Sequence, residues 1–274
     1  MITACSLCNS HKTSFFLKNF KGKDFWKCKN CEFVFNYPAT IPEYEKDSWT
    51  NATDPDGNKR DLTKDREFKL KNWYGDIVKF IEKLEHGKIL DYGCGLGYLL
   101  SAIPDSWVKY GFDISKFSQN FIKNNFSEIN LINDLDIEQD YSKQLFHQKF
   151  DVVICYHVIE HIVSPKLFLQ NLTQLVKPGG YLIVGTPNVD SFVAKRFKGN
   201  FRLLGDDGHV SMFTPKSLKK LIVENNFSIV KEEYPFFNTD YFNLKNILRM
   251  INPSKISPPF YGNIMTFYAK KKMC

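Results

Sequence analysis

The stretch Lys88-Ile89-Leu90-Asp91-Tyr92-Gly93-Cys94-Gly95-Leu96-Gly97 decides the fold. Its first five residues read as a short buried strand, and the glycines after them open a helix near Tyr98. Glycine at alternate positions permits a sharp turn and lets backbone come close to a ligand. Nicotinamide-binding loops are spaced GxGxxG; this loop is GxGxG, with an acid, Asp91, ahead of it. A second acid, Asp113, closes the next expected strand, Trp107 to Asp113. There it can accept hydrogen bonds from both hydroxyls of a ribose.

Outward from the loop, helices and strands alternate. Phe68, Trp73, Ile77, Phe80, Ile81 and Leu84 recur at three- and four-residue spacing, which predicts an amphipathic helix. Phe117 to Phe126 predicts a helix, Ile129 to Ile132 a third strand, and Phe150 to Cys155 a fourth. Ser164 as N-cap and Pro165 at the first position start a helix running to Val176. Lys177-Pro178-Gly179-Gly180 reads as a turn into the strand Tyr181 to Gly185. Thr214-Pro215 starts a helix to about Asn225, and Phe227 to Glu232 and Asn263 to Ala269 are expected as final strands. This order predicts an α/β, doubly wound sheet with helices on both faces. Ligands of such sheets bind at the carboxyl ends of strands, near the topological switch point.

The N-terminal region follows other rules. Of seven cysteines, Cys5, Cys8, Cys28 and Cys31 form two CxxC pairs. Each pair aims two thiolates at one point, and two pairs supply the four soft ligands of tetrahedral Zn2+. Between them Phe15, Phe16, Phe20, Phe25 and Trp26 alternate with polar residues, as in the short strands of a zinc ribbon. Four thiolates leave no open position, so the expected zinc is structural. No thioredoxin-like pattern surrounds either pair, which argues against redox use. From Tyr37 to about Asn58, Pro38, Pro42, Pro55 and Gly57 mark a linker in which Tyr44 and Trp49 stand out. They are expected to pack on the next domain or to form part of a lid. The expected division is residues 1–45 as the zinc-ribbon-like module, 46–64 as linker and 65–274 as the main domain.

With 274 residues, 43% of them hydrophobic, the chain can bury one medium core plus an appendage. No apolar run reaches the length of a bilayer span, and the first residues lack the n- and h-regions of a signal peptide. A cytoplasmic location with no membrane association is the expectation. The net charge of +7 is spread along the chain. It suits an anionic substrate or simply a basic surface. No concentrated basic stripe with interleaved aromatics marks a nucleic-acid surface.

Together these segments resemble the class I S-adenosylmethionine (SAM)-dependent methyltransferases over about residues 65–270. Asp91 to Gly97 resembles their first motif, and Gly111-Phe112-Asp113-Ile114-Ser115 their ribose-binding motif. Phe150 through His161 resembles the strand-four segment of small-molecule members, ending in Val158-Ile159-Glu160-His161. Lys177 to Gly180 resembles the KPGG turn, and His209 to Pro215 an H…FTP segment. The resemblance implies a Rossmann-like, mostly parallel seven-stranded sheet. It implies that Asp91, Gly93, Cys94, Gly95 and Gly97 cradle the methionine part of SAM, with Asp113 on the ribose and Ile114 against adenine. Asp134 is implied near the adenine amino group, and Cys155 at the cofactor through its backbone. As side chains, Cys94 and Cys155 read as small packing residues rather than nucleophiles. Relatives with a similar CxxC…CxxC module act in sugar or secondary metabolism.

Methyl transfer needs an aligned acceptor and often a base. His157, His161 and His209 fall in motif positions and suit that role; each could equally make a structural hydrogen bond. His157-x-x-Glu160-His161 also spells HxxEH, but a metalloprotease would need that motif on a helix. Ubiquinone-pathway O-methyltransferases carry ExxEH here, with those acids linked to a divalent ion. His157 stands at their first Glu, which puts that ion in doubt. The expected function is methyl transfer to a small polar acceptor, such as a hydroxyl of a sugar or nucleotide-linked sugar. The alternatives are an RNA methyltransferase gripping RNA through the zinc module, and a SAM-fold binding protein without activity.

Overall fold

The computed structural model describes residues 4–20, 22–39, 47–132, 149–204, 208–235, 240–260 and 263–273. Tyr44 and Asp134 lie outside these described residues. The chain begins with three antiparallel strands, β1 (Thr13–Phe20), β2 (Lys23–Cys28) and β3 (Val34–Tyr37). One CxxC precedes β1; the other forms the turn between β2 and β3. Aromatics hold this small sheet, with Phe15 and Trp26 rings 4.0 Å apart. A helical turn α1 (Asp47–Thr50) and a short ladder, β4 (Ala52–Thr53) with β5 (Lys59–Arg60), lead to the main domain.

The expected first helix is not one regular helix. It runs as α2 (Arg66–Lys69), a π-helical turn over Leu70–Tyr74, and α3 (Gly75–Ile81). A π turn inserts one residue and re-aims the side chains after it. Here it brings Trp73 and Tyr74 against the same cluster as Ile77 and Ile81.

Next come β6 (Lys88–Tyr92), α4 (Tyr98–Ala102), β7 (Val108–Phe112), α5 (Lys116–Asn125) and β8 (Ile129–Leu131). After them follow β9 (Phe150–Tyr156), α6 (Pro165–Gln174), β10 (Val176–Pro187) and α7 (Phe192–Phe197). The chain then forms β11 (Ser211–Met212), α8 (Pro215–Glu224), β12 (Phe227–Glu233), α9 (Leu244–Arg249) and β13 (Ile264–Lys271). Seven strands make one sheet in the order β12-β13-β10-β9-β6-β7-β8, antiparallel only at β13. The order reverses between β6 and β9, which places the switch point beside the glycine loop. Alternation along the strands divides the core between two faces. Leu90 and Val153 join Phe168, Leu172, Leu221 and Phe227, while Ile89 and Ile154 join Ile81, Leu100, Ile122 and Tyr268.

Several local expectations change. Ser164 makes no side-chain cap bond to α6, although Pro165 does stand at its first turn. The helix stops at Gln174, and Val176 is already in β10, pairing with Phe150. Lys177 to Gly180 lies within that strand rather than before it, with the register slipping between Val176 and Tyr181. Thr214 caps α8 through a reciprocal bond pair with Ser217.

The small sheet is not complete by itself. Its fourth strand is β11, which pairs with β3 through Phe35–Ser211 and Val34–Met212. Phe33 packs on Phe213 with ring centres 4.9 Å apart, a contact worth about 0.5–1.5 kcal/mol beyond its buried area. A third cluster joins Phe25 and Val34 to Val193, Phe197, Phe201 and Met212 from the segment after β10. Among the described residues, no helix is long and apolar enough to cross a membrane.

Candidate active site

The loop after β6 turns sharply because Gly93 (φ +80°) and Gly95 (φ +52°) are left-handed. A Cβ on Gly93 would stand 2.3 Å from Val158 Cγ2, so only glycine fits. Asp113 ties this loop to the next one. Its Oδ2 accepts from Gly95 N and its Oδ1 from Ser115 N, each at 2.8 Å. Each carboxylate oxygen keeps a further lone pair for a ligand hydroxyl. Ile114 beside it is 68% exposed, an open apolar surface.

A cavity of about 130 Å³ opens against the loop, lined by Trp49, Lys69, Trp73, Asp91, Tyr156 and His157 among others. Trp49 lies over Gly95 and donates from Nε1 to Ser115 Oγ at 3.1 Å. The linker thus roofs the loop. Asp91 is 4% exposed; burial, then the charge of Asp113, pushes its carboxyl up to about 8. Lys69 is half-buried, its ammonium 5.3 Å from the Trp73 ring centre and 6.0 Å from that of Tyr98. Burial brings its amine down to about 8. The cavity therefore holds an acid and a base that are both poised near neutrality.

His157 follows β9 with a left-handed backbone, φ +58°. That conformation costs a non-glycine residue about 1–2 kcal/mol, so the surroundings impose it. His157 N donates to Gly185 O at 2.9 Å. Its Nδ1 meets Glu160 Oε1 at 2.9 Å, and its Nε2 is buried with no hydrogen-bond partner. Glu160 is fully buried, and Thr186 Oγ1 donates to its other oxygen at 2.9 Å. Burial alone would raise the Glu160 carboxyl. The bond from His157 and the fields of His157, His161 and His209 outweigh that and bring it down to about 2. An ionised carboxylate only accepts, so Nδ1 of His157 is the donor to Glu160, and Nε2 is the ring nitrogen left over for a ligand.

His161 and His209 sit on the other side of Glu160, their ring centres 4.8 Å apart. His161 Nδ1 bonds Gly208 O at 2.9 Å, and His209 Nδ1 bonds Leu203 O. Glu160, His161 and His209 bring one ligand atom each within 4.8 Å of one another. A carboxylate with two imidazoles is a metal-type set. Both Glu160 oxygens, however, already accept hydrogen bonds, and His209 is 5% exposed. The set does not fit an ion that must touch an acceptor.

At the opposite end of β3, Cys5 Sγ and Cys31 Sγ are 3.6 Å apart, as are those of Cys8 and Cys28. All four sulfurs lie within 4.8 Å of one another. Tetrahedral thiolates at about 2.3 Å from zinc stand roughly 3.8 Å apart, so the cluster fits that ion.

A family model described as a methyltransferase domain matches residues 66–232. The chain belongs to the class I SAM-dependent methyltransferases. A curated relative, the mitochondrial ubiquinone biosynthesis O-methyltransferase of Dictyostelium discoideum, is 27% identical over 220 residues, 68% of this chain and 65% of that protein. The ubiquinone biosynthesis O-methyltransferase of Rickettsia typhi is 34% identical over 126 residues, 44% of this chain and 46% of that one. The chain thus spans between about half and just under two thirds of these relatives. The magnesium protoporphyrin IX methyltransferase of Synechocystis PCC 6803, solved with bound S-adenosylhomocysteine, shares the fold. Its TM-score is 0.54 at 19% identity, covering 79% of this chain and 90% of that one.

In this chain the motif residues gather at one end of the sheet, but not all in one role. Asp91, Gly93, Cys94, Gly95 and His157 line one cavity; Asp113 backs it. Cys155 is fully buried inside β9, opposite Val184, and burial pushes its thiol well up. Residue-type reasoning gave no role to Lys69, Trp73 or Tyr74 in the cavity wall, nor to Glu160 as the partner of His157. The charge of Glu160 inside an apolar run was a usable signal. The placement of Lys69 had none, because it depends on how α2 docks.

Proposed function

We propose that this methyltransferase moves a methyl group from SAM to a hydroxyl of a small acceptor, with His157 as the base. The unpartnered Nε2 of His157, beside the glycine loop and backed by Glu160, carries this reading. Bound SAM supplies an electrophilic methyl on a sulfonium sulfur. Asp91 and Lys69 would hold the ammonium and carboxylate of its methionine part, and Asp113 its ribose. His157 Nε2 takes the acceptor's hydroxyl proton as the C–O bond forms and the S–C bond breaks. Glu160 offsets the imidazolium that results.

The sequence suggests a sugar or nucleotide-linked sugar as acceptor. A second class, an aromatic hydroxyl, is favoured by the walls around His157, with Trp73 and Tyr156 rings at 5.4 and 4.7 Å, and by the names of the curated relatives. Release of S-adenosylhomocysteine should be assayed with nucleotide sugars, with catechol-type quinone precursors and with bulk RNA. Turnover with a hydroxylated small molecule is expected. Turnover with RNA alone would favour the RNA reading, and SAM binding without turnover on any arm the inactive one.

The pH dependence of SAM binding tests the cofactor side. A cationic ligand favours ionised Asp91, so below pH 8 binding must expel a proton. Affinity should rise with pH, by up to about tenfold per unit, until Asp91 is ionised in the free protein. Above pH 8 Lys69 loses its charge and affinity should fall again. Titration calorimetry in buffers of different ionisation heat reads the proton release at pH 7. Asp91→Asn should flatten the rising limb; an unchanged limb in that variant would overturn the assignment.

Zinc at Cys5, Cys8, Cys28 and Cys31 is proposed as structural, holding a module too small to bury its own core. Metal analysis should find about one zinc per chain, lost in a Cys28→Ser, Cys31→Ser double variant.

A further inference from the structure

We propose that the cysteine-ligated sheet positions the Glu160–His157 pair, with Asn36 and Val210 as the positioning residues. This rests on His157 being the base. Glu160 sits in a single 3-10 turn, Ile159–His161, closed by His161 N to Val158 O at 2.9 Å and Ile162 N to Ile159 O at 3.3 Å. So short a turn has little stability of its own and takes its position from bonds outside it. Val210 provides one. Its N–H donates to Glu160 O at 2.9 Å, while its own carbonyl accepts from Asn36 N at 3.1 Å. Val210 therefore bridges β3 to the turn that carries the carboxylate. Next to it Ser211 pairs with Phe35, and its Oγ donates to Ile162 O at 2.6 Å.

These ties begin at the metal-type cluster. Cys31 is followed two residues later by Phe33, which packs on Phe213, and then by β3. With the four sulfurs drawn to one cation, the start of β3 is fixed. Without it, the two CxxC turns are no longer tied together, and the start of β3 rests only on its pairing with β2 and β11 and on the packing of Phe33 and Val34. The loss then passes along hydrogen bonds to Val210, to the segment bearing His209, and to Glu160. Asp91, Gly93, Gly95 and Asp113 lie in β6, in its loop and just after β7, and carry none of these bonds. The module should therefore govern turnover more than SAM binding.

The test uses the full chain with zinc stripped by a chelator, and two variants with zinc retained. Asn36→Pro removes the N–H that bonds Val210 O but leaves the opposite edge, facing β2, its bonds. Asn36→Ala keeps that N–H; the side-chain amide it removes is buried and without partners. Zinc removal and Asn36→Pro are each expected to speed amide exchange at Val210 at least tenfold and to lower kcat at least tenfold. The dissociation constant for SAM should stay within about twofold, and Asn36→Ala should behave like the parent. Unchanged Val210 exchange after zinc removal, or parental kcat in a zinc-bearing Asn36→Pro protein, would overturn the proposal. Should the stripped protein unfold and lose SAM binding, the zinc-bearing variants still decide. If His157→Gln leaves kcat intact, the base reading fails, and Val210 exchange still judges the tie itself.

Discussion

Replacing His157 by glutamine is expected to lower turnover at least about a hundredfold while SAM affinity stays within a few fold. Glutamine keeps a Cβ at the left-handed position, so the backbone strain is unchanged and the loss reports chemistry. Its amide can still bond Glu160, but it cannot take a proton from a hydroxyl. Single-turnover rates at saturating SAM and acceptor measure the effect. His209→Gln is the comparison, because His209 is the other histidine that could reach the site from the segment after β10. If His209→Gln is the inactive variant and His157→Gln is not, the base lies in that segment and the dyad is structural.

Glu160→Gln should cut turnover by about 10²–10⁴. The neutral amide can accept from His157 Nδ1, but it offers no charge to stabilise the imidazolium formed as the methyl moves. Stability supplies a second, independent readout. The Glu160 carboxyl is held at about 2, below its value in an unfolded chain. Its ionised form therefore favours the folded state above roughly pH 4, and that contribution is lost as pH falls through about 2. The stability of the parent against denaturant should fall steeply as pH drops across this window, and Glu160→Gln should remove that part of the slope. Parental turnover in a folded Glu160→Gln protein would refute the dyad.

What could be read from the sequence was local. Alternation and apolar runs placed β6, β7, β9, β12 and β13 to within a residue or two, since strand periodicity is a property of a few neighbouring side chains. Glycine spacing marked the loop because left-handed turns demand glycine within the turn itself. Paired cysteines marked a metal cluster because two residues between them set the bite of the turn. The failures were also local in origin. Ser164 had the composition of a cap, yet a cap bond needs a geometry that composition does not specify. Leu70–Tyr74 kept a helical pattern, yet packing inserted the extra residue of a π turn.

The sequence by itself determined the alternating α/β order, the glycine loop with its two acids, and the four-cysteine set. Only the tertiary structure decided what faces what. Trp49 reached Gly95 and Ser115 from the linker, Lys69 entered the cavity from α2, and β11 completed a sheet begun almost 200 residues earlier. The three histidines were visible as residues, but all three spend Nδ1, and His157 is set apart by its partner, a buried carboxylate, where His161 and His209 bond the backbone carbonyls of Gly208 and Leu203. The physical reason is range. Backbone propensity and turn chemistry act over a few residues and leave a pattern in the chain. Pairing between distant strands, burial and the electric field at a carboxylate are sums over neighbours brought together only by folding.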